Sequence, residues 1–106
     1  LQKKTLEKQG HTVKEINHPD KVCKDLEQNT YDLLLMDIRM PGTSGIELYH
    51  TIIDKCPDLT NKVIFITGDT EDMSTRHFLE KNQLEFLRKP FGRTELCEAI
   101  GRIINR

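Results

Sequence analysis

The chain has 106 residues, with 16 Lys and Arg against 17 Asp and Glu, for a formal charge of −1. That length fits one domain, and 36% hydrophobic residues at near-zero charge set it apart from disordered chains. The balance gives no support for a dominant electrostatic attraction to nucleic acid or a membrane surface, and the longest apolar run, Leu33-Leu34-Leu35-Met36, falls far short of the roughly 20 residues that span a bilayer.

In chain order, residues 1–9 are spaced as a helix, and Gly10 stands where that helix must stop in a left-handed C′ position. Residues 11–16, His-Thr-Val-Lys-Glu-Ile, alternate and predict a strand at a sheet edge. A helix follows at 20–28. Residues 32–38 are apolar without alternation, as in a strand covered on both faces. Ser44 followed by Glu47 forms a capping box at the head of a helix over 44–56, with Glu47 reaching back to the cap's own N–H. Ile46, Tyr49, Ile53 and Cys56 make its inward stripe, and Pro57 stands just past its end. Residues 62–67 repeat the doubly covered strand pattern. A helix at 71–82, a strand at 84–88 and a helix at 93–105 complete the chain. In the last helix Leu96, Ile100, Ile103 and Ile104 share a face. Gly101 costs that helix about 1 kcal/mol relative to Ala, either to allow close packing or simply on the surface. Short strands alternating with helices predict an α/β, doubly wound parallel sheet with helices on both faces.

Cys23, Cys56 and Cys97 form no CxxC pair, and an odd count cannot complete a disulfide framework, so a reduced, cytoplasmic compartment is expected. Cys56 and Cys97 read as small buried hydrophobes. His11, His18, His50 and His77 share no metal-ligand spacing. No basic and apolar leader opens the sequence.

In open parallel sheets ligands bind beyond the carboxyl ends of the strands. Those ends carry Asp37, Thr67-Gly68-Asp69 and Lys89-Pro90. A carboxylate can act as a nucleophile toward phosphorus and form an acyl phosphate. A lysine and a hydroxyl beside it would bind the transferred oxygens. Singly, each residue has a plainer reading: Asp37 as a turn or cap residue, Thr67 as a strand-end hydroxyl. Together they form a set.

Three segments resemble one known family. Tyr31-Asp-Leu-Leu-Leu-Met-Asp37-Ile-Arg-Met-Pro41-Gly-Thr-Ser-Gly45 is similar to the phosphoacceptor segment of two-component response-regulator receiver domains. Val63-Ile-Phe-Ile-Thr67-Gly68 resembles that family's strand ending in Thr or Ser, and Phe86-Leu-Arg-Lys89-Pro90-Phe91 resembles its aromatic and Lys-Pro-Phe motif. The resemblance covers residues 1–106, read as one receiver domain, and implies a flavodoxin-like sheet of order 2-1-3-4-5. It implies that Asp37 is the phosphoacceptor, that Thr67 bonds the phosphoryl group and that Lys89 pairs with it. Phe86 would be the rotating aromatic of the switch, with plain core packing as its other reading. Asp37 and the backbone carbonyl of Arg39 would hold a divalent metal, usually Mg²⁺, to which hard oxygen donors and retained waters are suited. Pro90 would set a bond that is often cis. Asp69 and the Arg39 side chain would tune phosphoryl lifetime or else be solvated loop residues. The partner implied is a sensor histidine kinase or a histidine phosphotransfer domain, with a homodimer through the last strand and helix as a further option, and no contact with nucleic acid or membrane. Such a domain is a phosphoacceptor switch rather than a turnover enzyme, and the stretches around Ile66, Arg76 and Phe86 are most like receivers joined to hybrid sensor histidine kinases.

The sequence also departs from the family. Residues 1–10 match the end of the family's first helix, so the chain is expected to begin after the first strand and its metal-binding acidic pair. Asp20 and Asp25 do not replace that pair. Without it, metal affinity and phosphotransfer would fall sharply. Asn82-Gln83 stands where the family usually has Gly-Ala. The absent strand would lie between 11–16 and 32–38, which are therefore expected about 9–10 Å apart with a gap or foreign strand between them. Upstream residues, a swapped strand or a rearranged sheet would each account for this. Direct pairing of the two segments would favour a phosphorylation-independent interaction module over the phosphoacceptor. A haloacid-dehalogenase-like phosphatase is disfavoured, because Arg39 stands where a second Asp is needed.

Overall fold

The computed structural model describes residues 12–19, 21–40, 42–68 and 73–104. The expected helix over 1–9, its stop at Gly10, His11, Asp20, Pro41, Asp69 and the outer ends of the helices at 71–82 and 93–105 lie outside the described residues.

Four parallel strands form the sheet: β1 (Val13–Ile16), β2 (Leu33–Asp37), β5 (Val63–Thr67) and β6 (Glu85–Arg88), in the order β1-β2-β5-β6. Among the described residues four α-helices lie between or after them: α1 (Val22–Gln28), α2 (Gly45–Lys55), α3 (Met73–Lys81) and α4 (Arg93–Ile104). A two-strand hairpin, β3 (Arg39–Met40) with β4 (Thr43–Ser44), links β2 to α2, and Pro57–Leu59 form a 3₁₀ turn.

Side chains of β2 and β5 alternate between two cores. Leu34, Met36, Val63 and Phe65 pack with Val22 and Leu26 of α1, Leu48, Tyr49 and Ile52 of α2, and Leu79 of α3. Leu33, Leu35, Ile64 and Ile66 pack with Leu96, Ala99, Ile100 and Ile103 of α4. Both strands are thus covered on both faces, which is why they lack polar alternation. β1 alternates because it lies at the edge.

The expected gap beside β1 is absent. Val13 to Ile16 pair directly with Leu33 to Met36. The Asp32 N–H donates to the Thr12 carbonyl at 2.8 Å, and the Thr12 N–H donates to the Asp32 carboxylate at 2.9 Å. A crossover helix joins adjacent parallel strands as readily as separated ones. Direct pairing also satisfies backbone groups whose burial without partners would cost about 1–3 kcal/mol each. The order 2-1-3-4-5 is therefore not the order of the described strands.

Three local expectations shift. In α2 the buried residues are Gly45, Leu48, Tyr49 and Ile52, while Ile46, Ile53 and Cys56 are half-buried at the margin. The helix has more apolar residues than one stripe needs, and Tyr49 is drawn inward by an edge-on contact with Phe65. In α4, Ala99 replaces Ile104, which is 46% exposed, as the fourth buried position. Cys56 and Cys97 are half-buried rather than core residues. A Cβ on Gly101 would meet nothing within 4 Å, so its glycine serves no close packing. No helix among the described residues is long and apolar enough to cross a membrane.

Candidate functional site

Asp37 ends β2. Its register neighbour on β5 is Ile66, and the Ile38 N–H donates to the Ile66 carbonyl at 3.0 Å. Thr67 ends β5 opposite Arg88 on β6. One residue further, the Lys89 N–H donates to the Thr67 carbonyl at 2.9 Å, which brings Lys89 to the mouth of the sheet. The Lys89 Nζ stands 3.9 Å from the Asp37 carboxylate, and the Lys89–Pro90 peptide is cis. Ordinary strand pairing alone thus collects an acid, a hydroxyl residue and a lysine from three strands at one end of the sheet.

The segment after Asp37 is shaped by its turn. Gly42, at φ 79°, allows the hairpin β3–β4 to reverse. The Ser44 Oγ caps α2 by accepting the Glu47 N–H at 3.1 Å. Glu47 does not reach back as a full capping box would. Its carboxylate accepts the Thr43 hydroxyl at 2.9 Å, because the hairpin places that donor closer.

Asp37 lies in a cavity of about 670 Å³ lined also by Glu15, Asn17, Ile66, Lys89, Pro90 and Phe91. Its side chain retains 26% exposure. Burial pushes its carboxyl above the usual aspartate value, the Lys89 cation pulls it back, and the Glu15 carboxylate pushes it up again. Glu15 is the member sequence reasoning missed. The direct pairing of β1 with β2 carries it to the mouth of the sheet, and only an expectation of that pairing would have found it.

Thr67 is buried, and its hydroxyl points toward the Leu87 carbonyl at 3.4 Å. A second cavity of about 260 Å³ behind it is lined by Thr67, Gly68, Thr75, Arg76, Leu79, Phe86 and Arg88. Phe86 is half-buried against the α1–α3 core and shares this cavity with Thr67. Thr67 thus stands between the Asp37 end of the sheet and Phe86.

Among the described residues no cluster of three or more His, Cys, Asp or Glu side chains gathers for a metal. Asp37 and Arg39 do line one small cavity together with Gly68 and Lys89. A carboxylate with a main-chain oxygen suits Mg²⁺, which usually keeps several waters and takes few protein ligands. The donor set therefore fits that ion in part.

The sequence matches the family described as Response regulator receiver domain over residues 1–101. It is 30% identical over 102 residues to the transcriptional regulatory protein ResD of Bacillus subtilis, covering 95% of this chain and 41% of that protein. It is 31% identical over 97 residues to the CAI-1 autoinducer sensor kinase/phosphatase CqsS of Vibrio cholerae, covering 91% of this chain and 14% of that protein. The crystal structure of NtrX from Brucella abortus superposes with a TM-score of 0.78 over 99% of this chain and 24% of that one, at 21% identity, a likeness of fold. The chain thus spans less than half the length of each of these proteins. Receiver domains typically bind Mg²⁺ and act with histidine kinase or phosphotransfer partners. The chain belongs to the response regulator receiver domain family and is a receiver of two-component signalling.

Proposed function

We propose that Asp37 accepts a phosphoryl group from a phosphohistidine on a partner protein. The observation that carries this reading is the approach of the Lys89 Nζ to 3.9 Å from the Asp37 carboxylate, at the end of the sheet where Thr67 closes β5. An Asp37 oxygen attacks phosphorus in line. The P–N bond breaks, its electron pair returns to the imidazole, and the ring nitrogen takes up a proton. Burial around Asp37 strips water from the nucleophile, and Lys89 offers a cation to the equatorial oxygens. The Thr67 hydroxyl, held weakly at 3.4 Å, turns to the phosphoryl group and leaves room for Phe86 to move. Asp37 and the Arg39 carbonyl would hold Mg²⁺, which when bound neutralises charge on the phosphoryl oxygens.

The partner is a sensor histidine kinase or a phosphotransfer domain, and the domain functions in the cytoplasm. The likeness to CqsS supports a place in a hybrid kinase, and β6 with α4 offers a face for a homodimer. A second reading, a phosphorylation-independent interaction module, is favoured by the direct β1–β2 pairing. That pairing alters one side of β2 only. Thr67 ends β5 and Lys89 follows β6 on the other side of β2, with the Lys89 Nζ 3.9 Å from the Asp37 carboxylate, so the phosphoacceptor reading is kept first against the expectation attached to direct pairing. Intact-mass spectrometry after incubation with acetyl phosphate and Mg²⁺ tests it: the unchanged chain gains one phosphoryl group and Asp37→Asn gains none. Equal uptake by both overturns the assignment, and no uptake by either supports the interaction module.

A further inference from the structure

The structure assigns Gly45 as a positioning residue for Asp37, an inference that rests on the phosphoacceptor reading above. Gly45 is buried and opens α2. Its N–H donates to the Ile38 carbonyl at 2.6 Å, so the head of α2 is tied to the peptide that follows Asp37. A Cβ on Gly45 would overlap the Asp37 carbonyl oxygen, and would stand 3.0 Å from Ile38 Cα and 3.1 Å from the Asp37 carbonyl carbon. All three of these neighbours are backbone, which cannot swing aside as a side chain can. Gly45 has no left-handed φ, unlike Gly42, so space rather than conformation demands glycine here.

The Asp37–Ile38 peptide is therefore held from two sides. Ile66 of β5 accepts the Ile38 N–H at 3.0 Å, and Gly45 presses against the opposite part of the same peptide. The hairpin fixes the approach by pairing Arg39 with Ser44 and Met40 with Thr43. Thr67 ends β5 and Lys89 follows β6, so neither moves with this peptide. A methyl group at residue 45 shifts Asp37 relative to both, and reacting groups lose rate steeply when misplaced.

Gly45→Ala is compared with Gly101→Ala, a glycine with nothing within 4 Å of its Cβ position, and with the unchanged chain. For each, circular dichroism reports folding, and intact mass reports the initial rate of uptake across acetyl phosphate concentrations. Gly45→Ala is expected to lower the maximal rate about tenfold to a hundredfold per folded molecule, at an unchanged half-saturating concentration. Gly101→Ala leaves both values unchanged. Equal maximal rates for Gly45→Ala and the unchanged chain overturn the assignment. Should Gly45→Ala fail to fold, NMR on the unchanged chain decides: a scalar coupling across the Gly45 N–H···O=C Ile38 bond supports the close approach, and its absence overturns it. Should the unchanged chain take up no phosphoryl group, the phosphoacceptor reading fails on its own. The Asp37 carboxyl carbon resonance then decides the positioning: displaced by Gly45→Ala and not by Gly101→Ala supports it, and unmoved overturns it.

Discussion

Asp25 and Asp37 each face a lysine, yet the protein treats them in opposite ways. Asp25, on α1, is saturated with donors: the Lys14 Nζ at 3.1 Å, the Asn29 amide at 2.7 Å and the Tyr31 hydroxyl at 3.1 Å to both carboxylate oxygens. The Lys14 bond leads in holding its carboxyl below the usual value, helped by Asn29 and Tyr31 and opposed by desolvation. Asp37 is covered without such donors. Burial leads in raising its carboxyl, Lys89 opposes from 3.9 Å, and Glu15 adds a like charge. The first acid fastens the edge strand to α1 and the loop before β2. The second keeps its binding capacity open for a ligand, and the fold tolerates the cost.

The largest contrast lies in the two lysines. Lys89→Met is expected to slow phosphoryl uptake about 10²–10³-fold, the usual effect of removing a charge-stabilising donor. Lys14→Met, beside Asp25, leaves the uptake rate unchanged. Rates from intact mass would break the comparison if the two variants slowed alike.

Stability separates the aspartates next, and with opposite sign. Asp25→Asn lowers the melting temperature at neutral pH, because a carboxylate stabilised in the fold is lost. Asp37→Asn raises it, because a carboxylate disfavoured in the fold is removed. The pH dependence follows from the same directions. The lowered value of Asp25 adds stability above its unfolded value of 3.8, and this is lost as pH falls through the folded value. The raised value of Asp37 favours the folded state below 3.8, and that contribution is lost as pH rises through the folded value. The advantage of Asp37→Asn over the unchanged chain therefore appears as pH rises above 3.8, and the deficit of Asp25→Asn shrinks as pH falls below it. Melting curves from about pH 3 to 7 check both. Shifts of the same sign in the two variants would contradict the comparison. The smallest effect is Tyr31→Phe, which removes one donor from Asp25 and costs about 1 kcal/mol or less by urea titration.

Much of this was legible in the residues. β2 and β5 are apolar without alternation because two helical layers cover them, and Asp37 ends β2, Thr67 ends β5 and Lys89 follows β6, so parallel pairing gathers all three at one end of the sheet. Ser44 announced the head of α2 through its capping oxygen. What escaped has physical reasons. The hairpin β3–β4 has two residues per strand, too few for any period to show. Glu15 reads as the polar side of an edge strand until the partner of β1 is known. The inward stripe of α2 depends on the Tyr49–Phe65 contact and on the Tyr49 hydroxyl donating to the Thr60 carbonyl at 2.8 Å, both long-range.

The proposed switch turns on which aspartate carries the phosphoryl group. Treatment of the acetyl phosphate-reacted chain with borohydride reduces an aspartyl phosphate to homoserine, and tandem mass spectrometry of the peptides then locates it. Homoserine at residue 37, with Asp25 and Asp32 intact, is the predicted result. Homoserine at another aspartate, or a phosphoryl adduct that leaves Asp37 unreduced, would contradict it.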